Sequence, residues 1–161
     1  MAQDDNVPRS FLGYKRVLRL IKTLLTQGAS PRRITLAILV GIGTGLFPIL
    51  GTPSILGLAS GLILKLNQPV IHGINTLCMP LHIGTILPFI RMGEKLFSAD
   101  PIAFSFPVML EIFFRSPAEF FSLYGMTCLH CIAAWAVSVP FLLVVLYPGI
   151  LGLIRKTRPA L

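Results

Sequence analysis

From Ile34 to Leu64 the chain runs about thirty residues without a formal charge, a length that exceeds one membrane span of about twenty residues. The run is interrupted at Phe47-Pro48-Ile49-Leu50-Gly51-Thr52-Pro53. Proline lacks a backbone donor and clashes with the preceding turn, so the pattern predicts a helix ending near Phe47. Thr52-Pro53 then reads as a fresh start, with threonine as N-cap and proline at the first helical position. Gly41 and Gly45 precede the break, and Gly57 and Gly61 follow it. Small residues four apart let helix backbones approach closely in lipid, which predicts a helical hairpin folded on itself. Pro53 to Leu66 covers only about 20 Å of helix, so the second arm reads as re-entrant. Two short complete spans, or one kinked helix, are the alternative.

Elsewhere the pattern changes period. Phe11, Tyr14, Val17, Leu18, Ile21, Leu24 and Leu25 alternate at helical spacing with Lys15, Arg16, Arg19 and Lys22. This predicts an amphipathic basic helix within 1–29, lying on the anionic cytoplasmic leaflet, or against a soluble partner. Ser30-Pro31 opens the next helix, and the same grammar recurs at Gln68-Pro69, Asp100-Pro101 and Ser116-Pro117. Ser116-Pro117-Ala118-Glu119 forms a capping-box pattern. A span is predicted over 69–90, dented by Pro80 and Pro88 and carrying His72, Asn75, Thr76, His82 and Thr85. An external interfacial segment, 91–116, follows, in which Glu111 and Arg115 stand at ion-pair spacing. The last span covers 117–150, with Tyr124 and Tyr147 as interfacial belts and Pro140 as a kink, before a basic tail at 151–161.

Composition sets the class. Only 12% of the 161 residues are charged and 54% are hydrophobic, whereas soluble domains carry about a quarter charged residues. The predicted fold is all-α: one small polytopic membrane domain over 30–161 behind the amphipathic segment, with the broken hairpin at 31–66. The net charge of +8 is uneven. Seven basic residues precede Ile34, Arg155, Lys156 and Arg158 close the chain, and four of the six acids lie from Glu94 to Glu119. The positive-inside rule then puts both termini in the cytoplasm and the multi-pass chain in a cell inner membrane. The basic charge reads as a topology and lipid signal, so membrane lipids are the expected partners and nucleic acid is not. The N-terminal segment, with Asp4 and Asp5 and no clean apolar core, does not read as a signal peptide.

Candidate chemistry is sparse. No phosphate loop, nucleophile elbow, His-Glu-x-x-His motif or pair of membrane carboxylates occurs. Cys128-Leu129-His130-Cys131 lacks the second ligand pair of a closed zinc site, and packing explains it better. No enzyme activity, metal or cofactor is expected. The second arm would instead place free helix N–H groups within the membrane after Thr52-Pro53, a setting suited to an anion. Thr52, Ser54, His72, Asn75 and His82 are the candidate ligand residues, with Pro31, Gly41, Gly45, Pro48, Gly51, Pro53, Gly57, Gly61 and Pro80 shaping the site. The alternative for these polar groups is bonding between helices, or water capping the break.

Ser30-Pro31-Arg32-Arg33, the glycine-rich run into Phe47-Pro48 and Gly51, Leu64-Lys65-Leu66-Asn67-Gln68-Pro69, Asn75 and Pro80 resemble the bacterial domain-of-unknown-function family two-zero-six-two. The resemblance implies a small bacterial inner-membrane protein of undetermined activity, some of whose members are joined to sugar-transferring domains. It supplies no catalytic residue. Two function classes follow. One is a small transporter or lipid-handling protein, working as an oligomer, with an anion or lipid head-group site at the broken hairpin. The other is a non-catalytic accessory or structural subunit supporting glycan or lipid assembly of the cell envelope through a partner protein.

Overall fold

The computed structural model describes residues 19, 23, 30–49, 51–101 and 105–157, and among them it contains five helices and no strand. These are α1 (Pro31–Gly45), α2 (Pro53–Ile63), α3 (Gln68–Leu96), α4 (Phe106–Arg115) and α5 (Pro117–Lys156). The amphipathic helix expected within 1–29 lies outside the described residues, save for Arg19 and Thr23, as does Arg158 of the tail.

Helix α1 begins with Pro31 after an extended Ser30, and ends at Gly45, just before Phe47-Pro48. The turn needs one left-handed residue, and Gly51 supplies it at φ +79°. Pro53 then opens α2. At 15 and 11 residues the two arms span about 22 and 16 Å, each well short of a hydrocarbon core of about 30 Å. Their outer ends meet, because Arg33 Nη2 donates to the Lys65 carbonyl oxygen at 2.7 Å. The break-and-return shape is therefore present.

Its glycines work differently from the self-packed hairpin expected. A β-carbon on Gly41 would stand 2.8 Å from Ile74 Cβ, one on Gly45 3.0 Å from Cys78 Cβ, and one on Gly57 2.7 Å from Asn75 Nδ2. Gly61 faces Gln68 and Ile71. Both arms thus close on one face of α3 rather than chiefly on each other. Spacing marks a face for close approach; it does not name the neighbour.

Several boundaries also move. Helix α3 is capped by Asn67, whose side chain accepts the Val70 N–H, rather than by Gln68. It passes Ile90 and ends at Leu96, so Arg91, Glu94 and Lys95 belong to its last turns and not to a loop. Pro80 and Pro88 sit inside it on its exposed side. The helix expected at Pro101 falls on 102–104, outside the described residues, and α4 opens after Ser105. The capping box at Ser116 is one-sided: Ser116 Oγ accepts the Glu119 N–H at 3.3 Å, while the Ser116 N–H already donates to the Ile112 carbonyl. Helix α5 runs 40 residues, about 60 Å, through Pro140 and Pro148 to Lys156, beyond the expected end at 150.

Two apolar clusters hold the helices together. Ile34, Ala37 and Ile38 of α1 meet Val70 and Ile71 of α3 and Ile154 of α5 near the hairpin's outer ends. Farther along, Ile86, Phe89 and Ile90 of α3 meet Cys131, Ala134 and Val139 of α5. Helices α3 and α5 are each long and apolar enough to cross a membrane, and little of either apolar stretch is buried within the protein. Leu81 and Ile83 of α3 and Phe141, Val144 and Val145 of α5 are among the large apolar side chains left exposed.

Candidate functional site

The break in the hairpin is fastened from two sides. Asn75, on α3, is 8% exposed, and its Nδ2 donates to the Pro53 carbonyl oxygen at 3.0 Å. Its Oδ1 accepts from the Thr44 hydroxyl at 3.1 Å. That hydroxyl also lies 2.8 Å from the Val40 carbonyl, so one proton serves two acceptors. Turning the amide over would set two carbonyl-type oxygens against each other at Pro53, which fixes its orientation. Gly45 and Gly57 leave the room the amide occupies. From α5, Trp135 Nε1 donates to the Gly43 carbonyl at 3.1 Å, and its ring meets Phe47 edge-on at 5.0 Å.

Beside this fastening lies a cleft of about 700 Å³, open space at its mouth included, lined by Gly45, Gly51, Pro53, Ser54, His72, Asn75, Thr76, Met79 and His82. Four of the five candidate ligand residues therefore line one cleft. Thr52 is not among them. Its hydroxyl donates to the Ile49 carbonyl at 2.7 Å, and its backbone is already helical, so it is not a side-chain cap. A hydroxyl beside a turn has a carbonyl within reach, and here that bond displaces the capping one.

The lining residues differ in what they have left to offer. Both ends of the Asn75 amide are engaged within the protein. Thr76 donates back to the His72 carbonyl at 2.9 Å. Ser54 is exposed at the first turn of α2, where backbone N–H groups have no partner within the helix. His82 differs: it is 5% exposed, its ring stands beside the Gly45 backbone, and neither ring nitrogen makes a hydrogen bond of good geometry among the described residues. An unpaired buried polar group costs about 1–3 kcal/mol, and the Gly45 backbone can serve at most one of the two ring nitrogens, which leaves the other open to a further partner.

Thr44, Gly43 and Trp135 are part of the fastening that sequence reasoning missed. Thr44 carried a signal, being polar inside an uncharged glycine-rich run; Trp135 carried none, since its partner lies 92 positions away. Cys128 and Cys131 line a different, apolar cleft, and His130 stacks on Phe97 at 4.5 Å. Among the described residues no group of three His, Cys, Asp or Glu side chains could hold one metal ion. Comparison with protein-family models, with curated proteins and with solved structures gives no match.

Proposed function

We propose that this chain is a multi-pass inner-membrane protein that handles lipids, and that it binds the phosphate of a lipid head group beside the break in a re-entrant hairpin. The observation that carries this reading is His82, buried with no well-formed hydrogen bond at either ring nitrogen, and with only the Gly45 backbone beside it, in the wall of the cleft that Ser54 and the start of α2 also line. A phosphate oxygen accepts from an imidazole N–H, from the Ser54 hydroxyl and from free first-turn N–H groups, and the positive end of the helix dipole favours its charge. Ser54, Thr76 and Met79 are exposed, so the cleft opens on the side of the α2–α3 pair, which supports entry from the surrounding lipid. The charge distribution favours cytoplasmic termini, and the resemblance over 31–80 agrees with a bacterial inner membrane.

The test is native mass spectrometry of the full chain with phosphatidic acid, phosphatidylglycerol and phosphatidylcholine, for wild type, Ser54→Val and His82→Leu. Wild type should retain the anionic lipids preferentially, and both variants should lose that preference while keeping their elution profile. Equal retention of all lipids by all three proteins would remove the head-group reading. Displacement by millimolar inorganic phosphate, with no preference for a lipid, would assign the site to a free anion instead.

A further inference from the structure

On the far side of the same break lies a second, narrow cleft, of about 570 Å³ with the open space at its mouth included, walled almost wholly by carbon. Pro48 comes from the turn, Ile86 and Ile90 from α3, Leu110 and Phe113 from α4, and Phe120 from α5. The two clefts share two walls. One is the turn itself, whose Pro48 faces the apolar cleft and whose Gly51 and Pro53 face the polar one. The other is a single stripe of α3, since His82, Ile86 and Ile90 repeat at four-residue spacing and so lie on one face. His82 ends the polar cleft, and Ile86 begins the apolar one about 6 Å farther along the helix.

Resting on the head-group reading above, we infer that the apolar cleft holds a hydrocarbon chain of the lipid whose phosphate sits beside His82, so that the ligand is an acyl lipid with a net-negative phosphate head group, gripped at both ends. Three observations converge on that occupant. The polar-to-apolar order along His82, Ile86 and Ile90 matches the order of a lipid read from head to tail. The apolar cleft lies on the side of the break away from the Arg33–Lys65 contact, so the chain points away from the hairpin's feet. Lipids of the leaflet at those feet already have that orientation, and no inversion is needed to enter. The roof is α4, whose Phe113 packs edge-on against Phe120 of α5 at 5.2 Å, so the space below it offers a chain only apolar side chains.

The experiment uses the full chain in phosphatidylcholine nanodiscs containing phosphatidic acid with a diazirine near the end of one acyl chain. A parallel sample carries phosphatidylcholine with the same chain. Adducts from the phosphatidic acid should concentrate on Leu110, Phe113 and the facing turn of α5, above those from the phosphatidylcholine probe. Leu110→Trp fills the cleft from its most separable wall and should lower those adducts about tenfold, the effect of excluding one or two methylenes. Labelling of outward Leu62, Phe141 and Val144 should not change. If phosphatidic acid adducts spread evenly over those outward positions, while Ser54→Val still abolishes retention of the anionic lipid, the tail assignment falls and the head-group site stands. If both probes label the cleft equally and Ser54→Val changes nothing, the head-group reading fails and takes this inference with it. Should Leu110→Trp not fold, the wild-type adduct map alone decides.

Discussion

Asn75 Nδ2 donates to the Pro53 carbonyl oxygen across 3.0 Å, tying the middle of α3 to the first residue of α2. With Thr44 on its other end, the one amide joins three helices at the level where the hairpin breaks. Asn75→Leu keeps the side-chain size but removes two hydrogen bonds, leaving the Thr44 hydroxyl its Val40 carbonyl and the Pro53 carbonyl its place in the α2 ladder. Thermal unfolding in detergent should show a loss of about 1–3 kcal/mol, the net worth of two such bonds. A variant as stable as wild type would show that the two bonds add nothing net.

Close packing on α3 can be tested at Gly57. Gly57→Ala drives a β-carbon to 2.7 Å from Asn75 Nδ2, so it should destabilise by about 1–3 kcal/mol. Gly152→Ala, with nothing within 4 Å of the new atom, should change little. Equal tolerance, read from paired melting curves, would contradict the seam.

Trp135 is the sole tryptophan, which makes its fluorescence a reporter of the break. Its emission should be that of an apolar site. Trp135→Phe retains a ring against Phe47 but loses the bond to the Gly43 carbonyl, and should cost about 0.5–1.5 kcal/mol. Trp135→Leu should cost more, having lost the edge contact as well.

Orientation is checked by labelling. In a chain with Cys78, Cys128 and Cys131 replaced by alanine, Ser98→Cys should react with an impermeant maleimide added to the periplasmic side. Thr157→Cys should react only after the membrane is opened. Both positions are exposed, so access and not burial decides the result. The opposite pattern would overturn the charge-based topology.

How much of this was legible depends on what each residue encodes locally. Pro48 and Gly51 announce the break, because a missing donor and a left-handed turn are properties of single residues. The gathering of Ser54, His72, Asn75 and His82 was also legible, since three of them share α3 and the fourth starts the arm that packs on it. The ends of α2 and α3 were harder to read. Both close in a Schellman motif whose left-handed residue is Lys65 or Ser98, at φ +51° and +50°, where glycine is the usual signal. Arg91, Glu94 and Lys95 announced an interface by their charge, yet charge does not stop a helix, and Arg91 pairs with Glu94 at 2.8 Å inside one. What lay beyond reach was pairing at a distance: which helix the glycines meet, and that Trp135 finds Gly43.

The contact between Arg33 and the Lys65 carbonyl has a consequence for how the protein is made. With both feet at one level, the proposed re-entrant hairpin would contribute no passage from one face to the other. When the ribosome has released residues 31–66, the turn at Pro48 still lacks its fastening, because Asn75 and Trp135 have not yet emerged. Hydrocarbon rejects such a turn until its polar backbone is bonded. On the proposed re-entrant reading, the order of insertion is expected to reverse the order of synthesis, with the hairpin held at the surface until α3 arrives to draw it in.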